Sequence, residues 1–377
     1  MKKIKVLQFP VANNKSGITK YTLSNWEYID KSKIQFDFAT MSNTFDFEDE
    51  LKFQGCKLFH ISCYAEDNET QFIDEMNEIL ENGYDVVHLH TSCWKSFLVE
   101  KLAKQHCVPK IIVHSHNSMV LEENEERRKK ALILHEFRKN EISQELATDF
   151  WACSHVAADW LFGNQIPKEK IVIMKNSINV EIYKFDDNIR LKYRKELGVE
   201  NDFVIGNVGR FVYQKNHEFL IDVFIEVKKY VKNTKLILVG VGPLEGMIRQ
   251  KLYENNLLND VIIFNRRNDI NNLMQAMDIF CLPSRFEGLP ITLIEAQCSG
   301  LKCFASDCIS REARITDNLK FILLNKTIWA DEIIKNVYRC SFRENMSKIV
   351  AEAGYNIKDQ IKIIENLYIN GCENESE

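Results

Sequence analysis

The sequence predicts an α/β protein made of two doubly wound, Rossmann-like domains facing a central cleft. Three observations lead there. Short apolar runs of strand length alternate with helix-length amphipathic segments from end to end, the mark of parallel βαβ units. The chain has 377 residues, enough for two such domains, each with a sizeable core. The motifs that carry charge or glycine follow directly on apolar runs, where open α/β sheets bind their ligands.

In the first half, strands are expected at residues 4–9, 35–39, 57–61, 86–90, 111–114, 150–153 and 171–174. Helix-length segments such as 70–81 and 96–105 lie between several of them. A second series starts at 203–208 and continues at 236–239, 261–264, 279–282, 303–305 and 321–324. The stretch between the two series is polar around Lys184–Asn188, as a hinge would be. From Met346 to Tyr368 the pattern is one or two helices broken at Gly354. The expected domains are therefore 1–182 and 183–350, with a C-terminal helix in 351–377 packing back toward the first domain.

Composition narrows the function classes. A hydrophobic content of 45% and charged content of 27% are those of an ordinary globular protein. The net charge of −5 gives no general affinity for nucleic acid. The 11 cysteines include no C-x2-C pair, which argues against a zinc site. Their scatter through apolar segments, as at Cys153, Cys281 and Cys298, suggests reduced core thiols and a cytoplasmic protein. The opening apolar run is too short for a signal peptide, and no run approaches the ~20 residues that span a bilayer.

The most informative motif is Pro283-Ser-Arg-Phe-Glu287-Gly288-Leu289-Pro290, followed by a helical pattern that carries Glu295. Glu287 is placed in a strand-to-helix loop, where a carboxylate can bind hydroxyls while helix N-terminal N–H groups bind anions. After the first strand of the second series comes Gly209-Arg210, with Lys215 five positions on. Gly209 allows close approach, and the two cations suit phosphate or are merely solvated surface charges. Gly240-Val-Gly242-Pro243 reads as a tight strand-to-helix turn able to approach a nucleotide, not as an NAD fingerprint, because Gly246 comes one residue late. Asn13–Ile18, with Gly17, is a loop into a helix that either wraps a ligand or is an ordinary connection.

His114 and His116 end a strand and share one face of it. No neighbouring carboxylate or cysteine completes a metal set, and His88 and His90 end a different strand. One of the pair is expected to be a polar group at the cleft. No Asp-x-Asp occurs in the chain, which argues against a metal–diphosphate clamp. Residues 122–130 form a charge run spaced for i,i+4 pairs. Its main reading is a solvated helix; peripheral contact with the cytoplasmic membrane face is the minority one.

In these motifs the chain resembles the retaining glycosyltransferases of the GT-B fold called group 1 or family four. It is most similar to the bacterial enzymes of capsular and extracellular polysaccharide assembly. The E-x7-E signature stands as Glu287…Glu295, the Gly-Arg…Lys element as Gly209-Arg210…Lys215, and the Gly-x-Gly-Pro turn as Gly240–Pro243. The first-domain histidine matches His116, and the hinge element stands as Asn176-Ser177-Ile178-Asn179.

The resemblance implies a transferase that moves a sugar, from a donor expected to be UDP-linked, to a glycan or lipid-linked glycan. It implies no metal and no cofactor, the nucleotide sugar being a substrate. Arg210 and Lys215 would neutralise the departing diphosphate, aided by backbone N–H groups around Gly288-Leu289-Pro290. Glu287 would bind the donor sugar, Glu295 the ribose, and His116 would lie near the reacting carbon. The Gly17 loop would close on donor and acceptor, the acceptor belonging to the first domain. Two other readings are a GT-B nucleotide-sugar epimerase, which needs an internal acid/base pair, and a catalytically idle binding subunit, which is expected to have lost site charges.

Overall fold

The computed structural model describes residues 3–13, 17–337 and 343–370. The chain divides at Ser177/Ile178 and again at Asn356/Ile357. One unit runs from Ile178 to Asn356, and the other combines the chain before it with the helix after it.

In the first unit the strands are β1 (Ile4–Val11), β2 (Ile34–Thr40), β3 (Leu58–His60), β4 (Val86–Thr91), β5 (Lys110–Ser115), β6 (Asp149–Ala152) and β7 (Ile171–Ile173). They form one parallel sheet in the order β3-β2-β1-β4-β5-β6-β7. In the second unit β8 (Phe203–Val208), β9 (Thr234–Val239), β10 (Val261–Phe264), β11 (Ile279–Leu282), β12 (Lys302–Ser306) and β13 (Leu319–Ile322) form a parallel sheet in the order β10-β9-β8-β11-β12-β13. Helices separate the strands in sequence, so each is a doubly wound sheet. All residues of β5, β8 and β11 are buried, as strands covered on both faces must be. In each sheet the order reverses at the central pair, β1 beside β4 and β8 beside β11. Ligands bind doubly wound sheets at such a reversal, beyond the strand C-termini.

Every expected strand has its counterpart among the described residues. The last is shifted, from 321–324 to Leu319–Ile322. The apolar run continues past the strand, but Leu323 is exposed. Asn325 then caps the helix Lys326–Asn336 by accepting from the N–H groups of Thr327 and Ile328.

The polar stretch Lys184–Asn188 is not a hinge. Asp186 caps the helix Asp187–Glu196, accepting from the N–H of Asn188 (2.8 Å) and of Ile189 (3.0 Å). From that helix Arg190 and Arg194 both reach Asp278, just ahead of β11, at 2.5 and 3.1 Å. Asp278 also accepts from the Val204 N–H on β8 at 2.7 Å. The polar residues that resemble a linker therefore lead into and cap a helix whose arginines tie it to two strands. The entry into the second unit lies earlier, where the Ile178 N–H donates to the Tyr355 carbonyl (2.9 Å) and Ile178 bridges Asn356.

Gly354 adopts φ +83° between the short helix Ser347–Val350 and the helix Ile357–Asn370, the left-handed turn that ends one and starts the other. Ile361, Ile364 and Tyr368 of that last helix join the core of the first unit, beside Phe36, Phe38 and Trp151. The core of the second unit holds Phe224, Phe304 and Trp329. Cys153, Cys281 and Cys298 are buried free thiols.

Removing Asp278 leaves two arginines at a largely buried site without their counter-charge. Asp278→Ala should cost about 3 kcal/mol of stability, read as a lower denaturant midpoint. A loss under ~1 kcal/mol would mean the arginines find other partners and are not tied through Asp278.

Candidate active site

In the second unit, β8 and β11 lie side by side, and the loops leaving their C-terminal ends meet. After β8 the chain runs through Gly209 and Arg210, makes a short turn at Tyr213–Lys215, and enters the helix His217–Tyr230. Asn216 takes the left-handed conformation (φ +56°) between turn and helix. After β11 the loop from Pro283 leads to Pro290, the N-cap of the helix Ile291–Cys298.

Side chains and backbone lace the two loops together. Lys215 Nζ lies 2.5 Å from Glu287 Oε1, and Gln214 Nε2 donates to Glu287 Oε2 at 3.2 Å and to the Phe286 carbonyl at 3.0 Å. The Arg285 N–H donates to the Gln214 carbonyl (2.8 Å), and the Arg285 guanidinium to Asn216 Oδ1 (2.8 Å). Asn216 Nδ2 donates to the Pro283 carbonyl (3.2 Å). Glu287 is buried, so its carboxylate is held by a cation and an amide on opposite oxygens.

Of the residues expected to form a donor site, Lys215 and Glu287 are thus in direct contact. Half-buried Arg210 lies in the same loop as Lys215. Gly288 and Leu289 are buried at the N-terminal end of the helix that carries Glu295. Glu295 is fully buried there, and its Oε1 accepts from the Tyr183 hydroxyl at 2.5 Å. Burial, and then the adjacent Glu295 carboxylate, hold the Tyr183 hydroxyl well above the usual phenol range. Gln214 and Tyr183 are absent from the sequence reading. Gln214 sits between two recognisable residues without a charge of its own, and Tyr183 lies in the stretch that resembles a linker.

Gly240 and Gly242 have a different reason to lack side chains. A Cβ at Gly240 would lie 2.0 Å from the Gly209 carbonyl oxygen, and one at Gly242 would lie 2.3 Å from that of Phe211. The Phe211 N–H donates to the Val241 carbonyl (3.0 Å) and the Leu244 N–H to the Phe211 carbonyl (3.1 Å). The glycine turn therefore clasps the backbone on either side of Arg210, which accounts for both glycines.

In the first unit, β4 and β5 are neighbours in register, His90 opposite His114. The histidines that sequence assigns to two separate strands become one cluster. His114 and His116 lie with ring centroids 4.0 Å apart, tilted by 35°, and His88 and His90 stack at 4.4 Å. His90 Nδ1 lies 2.9 Å from His116 Nε2, and His88 Nε2 lies 3.1 Å from His114 Nδ1. Gln8 Oε1 meets His90 Nε2 at 2.8 Å, and the Tyr368 hydroxyl meets His88 Nδ1 at 2.7 Å. Tyr21 packs its ring edge-on to His114 at 5.1 Å.

His88, His90 and His114 offer nitrogen atoms within 4.8 Å of one another, a spacing and chemistry open to a metal ion. Of these ring nitrogens all but His114 Nε2 already bond to one another, to His116, to Gln8 or to Tyr368, so an ion bound there would have to break such bonds and bring its charge among neutral groups. Asn14, Lys15 and Ser16 of the expected Gly17 loop lie outside the described residues. Gly17 itself opens the helix Gly17–Tyr28, with open space where a side chain would be.

A family model described as glycosyl transferases group 1 matches residues 189–356, and one described as a glycosyl transferase 4-like domain matches residues 16–177. A protein of Bacillus subtilis (strain 168), provisionally named glycosyltransferase EpsF, is 31% identical over 374 residues, covering 97% of this chain and 96% of its own. An Escherichia coli protein named UDP-Gal:alpha-D-GlcNAc-diphosphoundecaprenol alpha-1,3-galactosyltransferase is 28% identical over 310 residues, 76% of each chain. The crystal structure of Anabaena Alr3699/HepE in complex with UDP and glucose superposes with a TM-score of 0.75 at 15% identity, over 97% of this chain and 99% of that one.

The histidine cluster has a consequence for acid stability. Burial holds His88, His90 and His114 well below the ordinary imidazole value, and pushes His116 down to about 3. Unfolded imidazoles titrate near about 6.5. Below that pH the unfolded chain binds more protons than the folded one. The stability carried by the neutral rings is therefore complete above about 6.5 and lost as pH falls toward the folded values. The denaturant midpoint should drop between about pH 7 and 5, and drop less steeply in His90→Gln. A midpoint that is flat or rises over that range would contradict the buried neutral cluster.

Proposed function

Because the chain belongs to the group 1 glycosyltransferases and has their GT-B fold, we propose that it is a retaining, metal-independent transferase of bacterial surface polysaccharide synthesis. Its donor in this reading is a UDP-linked sugar, and its acceptor a glycan or lipid-linked glycan. The observation that carries the proposal is the buried Lys215–Glu287 contact at the sheet reversal of the second unit, with Arg210 in the same loop and Glu295 on the helix that follows. The donor named for the Escherichia coli relative and the UDP held by the Anabaena protein agree with it.

In this reading Arg210 and Lys215 face the diphosphate. Lys215 shares its charge between Glu287 and phosphate, which keeps the ammonium fixed before the donor arrives and spares reorganisation during reaction. Glu287, acceptor-only when ionised, takes hydrogen bonds from donor-sugar hydroxyls, and Gln214 holds its second oxygen in place. Glu295 takes the ribose hydroxyls beside Tyr183. As the bond from the anomeric carbon to the phosphate oxygen breaks, the acceptor oxygen bonds to the same face of that carbon. Its proton passes to the leaving phosphate. Negative charge builds on that phosphate in the transition state, where the two cations act most strongly.

A peripheral membrane contact belongs to the same proposal. On the helix Glu125–Lys139, Ile133 and Phe137 are 71% and 59% exposed and lie one turn apart, with Lys129, Lys130 and Arg138 close by in sequence. Exposed apolar side chains amid basic ones suit an anionic leaflet.

Glu287→Gln and Arg210→Ala should each lower kcat roughly a hundredfold or more in a UDP-sugar transfer assay, and a chelator should leave the wild-type rate unchanged. A wild-type rate in Arg210→Ala, or manganese-dependent recovery after chelation, would overturn the clamp or its metal independence. The protein should float with phosphatidylglycerol vesicles and not with phosphatidylcholine vesicles. Flotation undiminished in Ile133→Glu/Phe137→Glu would rule this helix out as the contact.

A further inference from the structure

The contacts of the histidine cluster form a single line. In order it runs His116 Nε2, His90 Nδ1, His90 Nε2, Gln8 Oε1, Gln8 Nε2, Tyr368 hydroxyl, His88 Nδ1, His88 Nε2, His114 Nδ1. The rings are neutral because of burial, so each carries one proton on one of its two nitrogens. Such a line has only two states. Either every bond donates from His116 toward His114, or every bond donates the other way, and fixing one bond fixes them all.

The distances at Tyr368 select the direction. Hydrogen bonds from O–H donors are shorter than those from N–H donors, about 2.7–2.8 Å against about 2.9–3.0 Å. Tyr368 is 2.7 Å from His88 Nδ1 and 3.2 Å from Gln8 Nε2. The short contact fits a phenol donating to an imidazole lone pair, and the long one an amide N–H donating to the phenol oxygen. Reversed, which requires the Gln8 amide to flip, the phenol would donate across 3.2 Å to the amide oxygen while an imidazole N–H donated across 2.7 Å. The selected direction leaves Gln8 Oε1 to accept, so His90 holds its proton on Nε2 and accepts on Nδ1. The far end then carries a buried His114 Nε2–H with no partner, a cost that the other bonds of the line offset.

We propose that Gln8 and His90 are positioning residues that fix His116 in the tautomer with its proton on Nε2 and its lone pair on Nδ1. His116 then offers its free nitrogen to a substrate only as an acceptor, for a group that can donate, such as a sugar hydroxyl. The use by substrate rests on the transferase reading above; the tautomer does not. Gln8 is on β1, His90 on β4 and Tyr368 on the last helix. Three elements far apart in sequence therefore act on one ring.

Long-range 1H–15N correlation spectra of the ligand-free, full-length protein labelled at histidine nitrogen test this directly. The expected wild-type result is a pyrrole-type Nε2 and a pyridine-type Nδ1 on both His116 and His90. In Gln8→Leu both rings should become tautomer mixtures, and in Tyr368→Phe, which removes the hydroxyl that orients the Gln8 amide, His88 and His116 should both lose their preference. A wild-type His116 protonated on Nδ1 overturns the proposal, and so does a His116 unaffected by Gln8→Leu. The wild-type spectrum decides alone if that variant does not fold. Transfer turnover in Gln8→Leu should fall roughly tenfold, as for one lost hydrogen bond at the reacting group. A shifted tautomer with unchanged turnover upholds the relay and removes His116 from the reaction. Reduced turnover with an unchanged tautomer overturns the relay.

Discussion

Lys215 and Glu287 stand 72 residues apart and touch only because β8 and β11 are neighbours. A buried ion pair contributes little to stability, since desolvating two charges cancels most of their attraction. Here the surrounding loops are nonetheless built to hold it. Gln214 fixes the second carboxylate oxygen, Asn216 adopts a left-handed backbone to bring the helix in, and Arg285 bridges back to Asn216. So much backbone commitment to a pair of low energetic worth is what a site asks for when charges must be in place before a ligand arrives.

The Gly-x-Gly turn belongs to that same structure. From sequence alone its glycines suggest a backbone that approaches a nucleotide. In the folded protein they give way to the backbone around Arg210, at distances no side chain would allow. The turn after β9 thereby fixes the path of the loop after β8, and through it Arg210 and Lys215. A glycine motif beside a charged loop can thus serve the ligand indirectly, by shaping the loop that carries the charge.

What sequence revealed and what it hid follow one physical division. Strands buried on both faces announce themselves as apolar runs, and every one of those expected was found, with only β13 displaced by the exposed Leu323. Strand order leaves no such trace, because parallel neighbours are joined through distant helices. His88 and His90 therefore seemed unrelated to His114 and His116 until β4 and β5 paired. The polar residues at 184–188 misled for a related reason. A helix cap and a linker share a composition, and only Asp278, far along the chain, distinguishes them. Uncharged partners such as Gln214 and Tyr183 were invisible because their roles depend wholly on what lies beside them.

The two sheet reversals carry opposite electrostatics. At β8/β11 ionised groups face each other and are held by amides. At β1/β4 burial has driven charge out, leaving imidazoles, an amide and a phenol in one line. A charged site answers a ligand by Coulomb attraction, which tolerates small displacements. A neutral line answers only through which atom holds the proton, and in a low-dielectric interior each bond in it depends on the next. Orientation in the first unit is therefore set collectively: the position of one amide, Gln8, determines the hydrogen-bonding character of a ring two residues along the line. The buried His114 Nε2, for which the described residues offer no partner, lies at the end of the line farthest from His116.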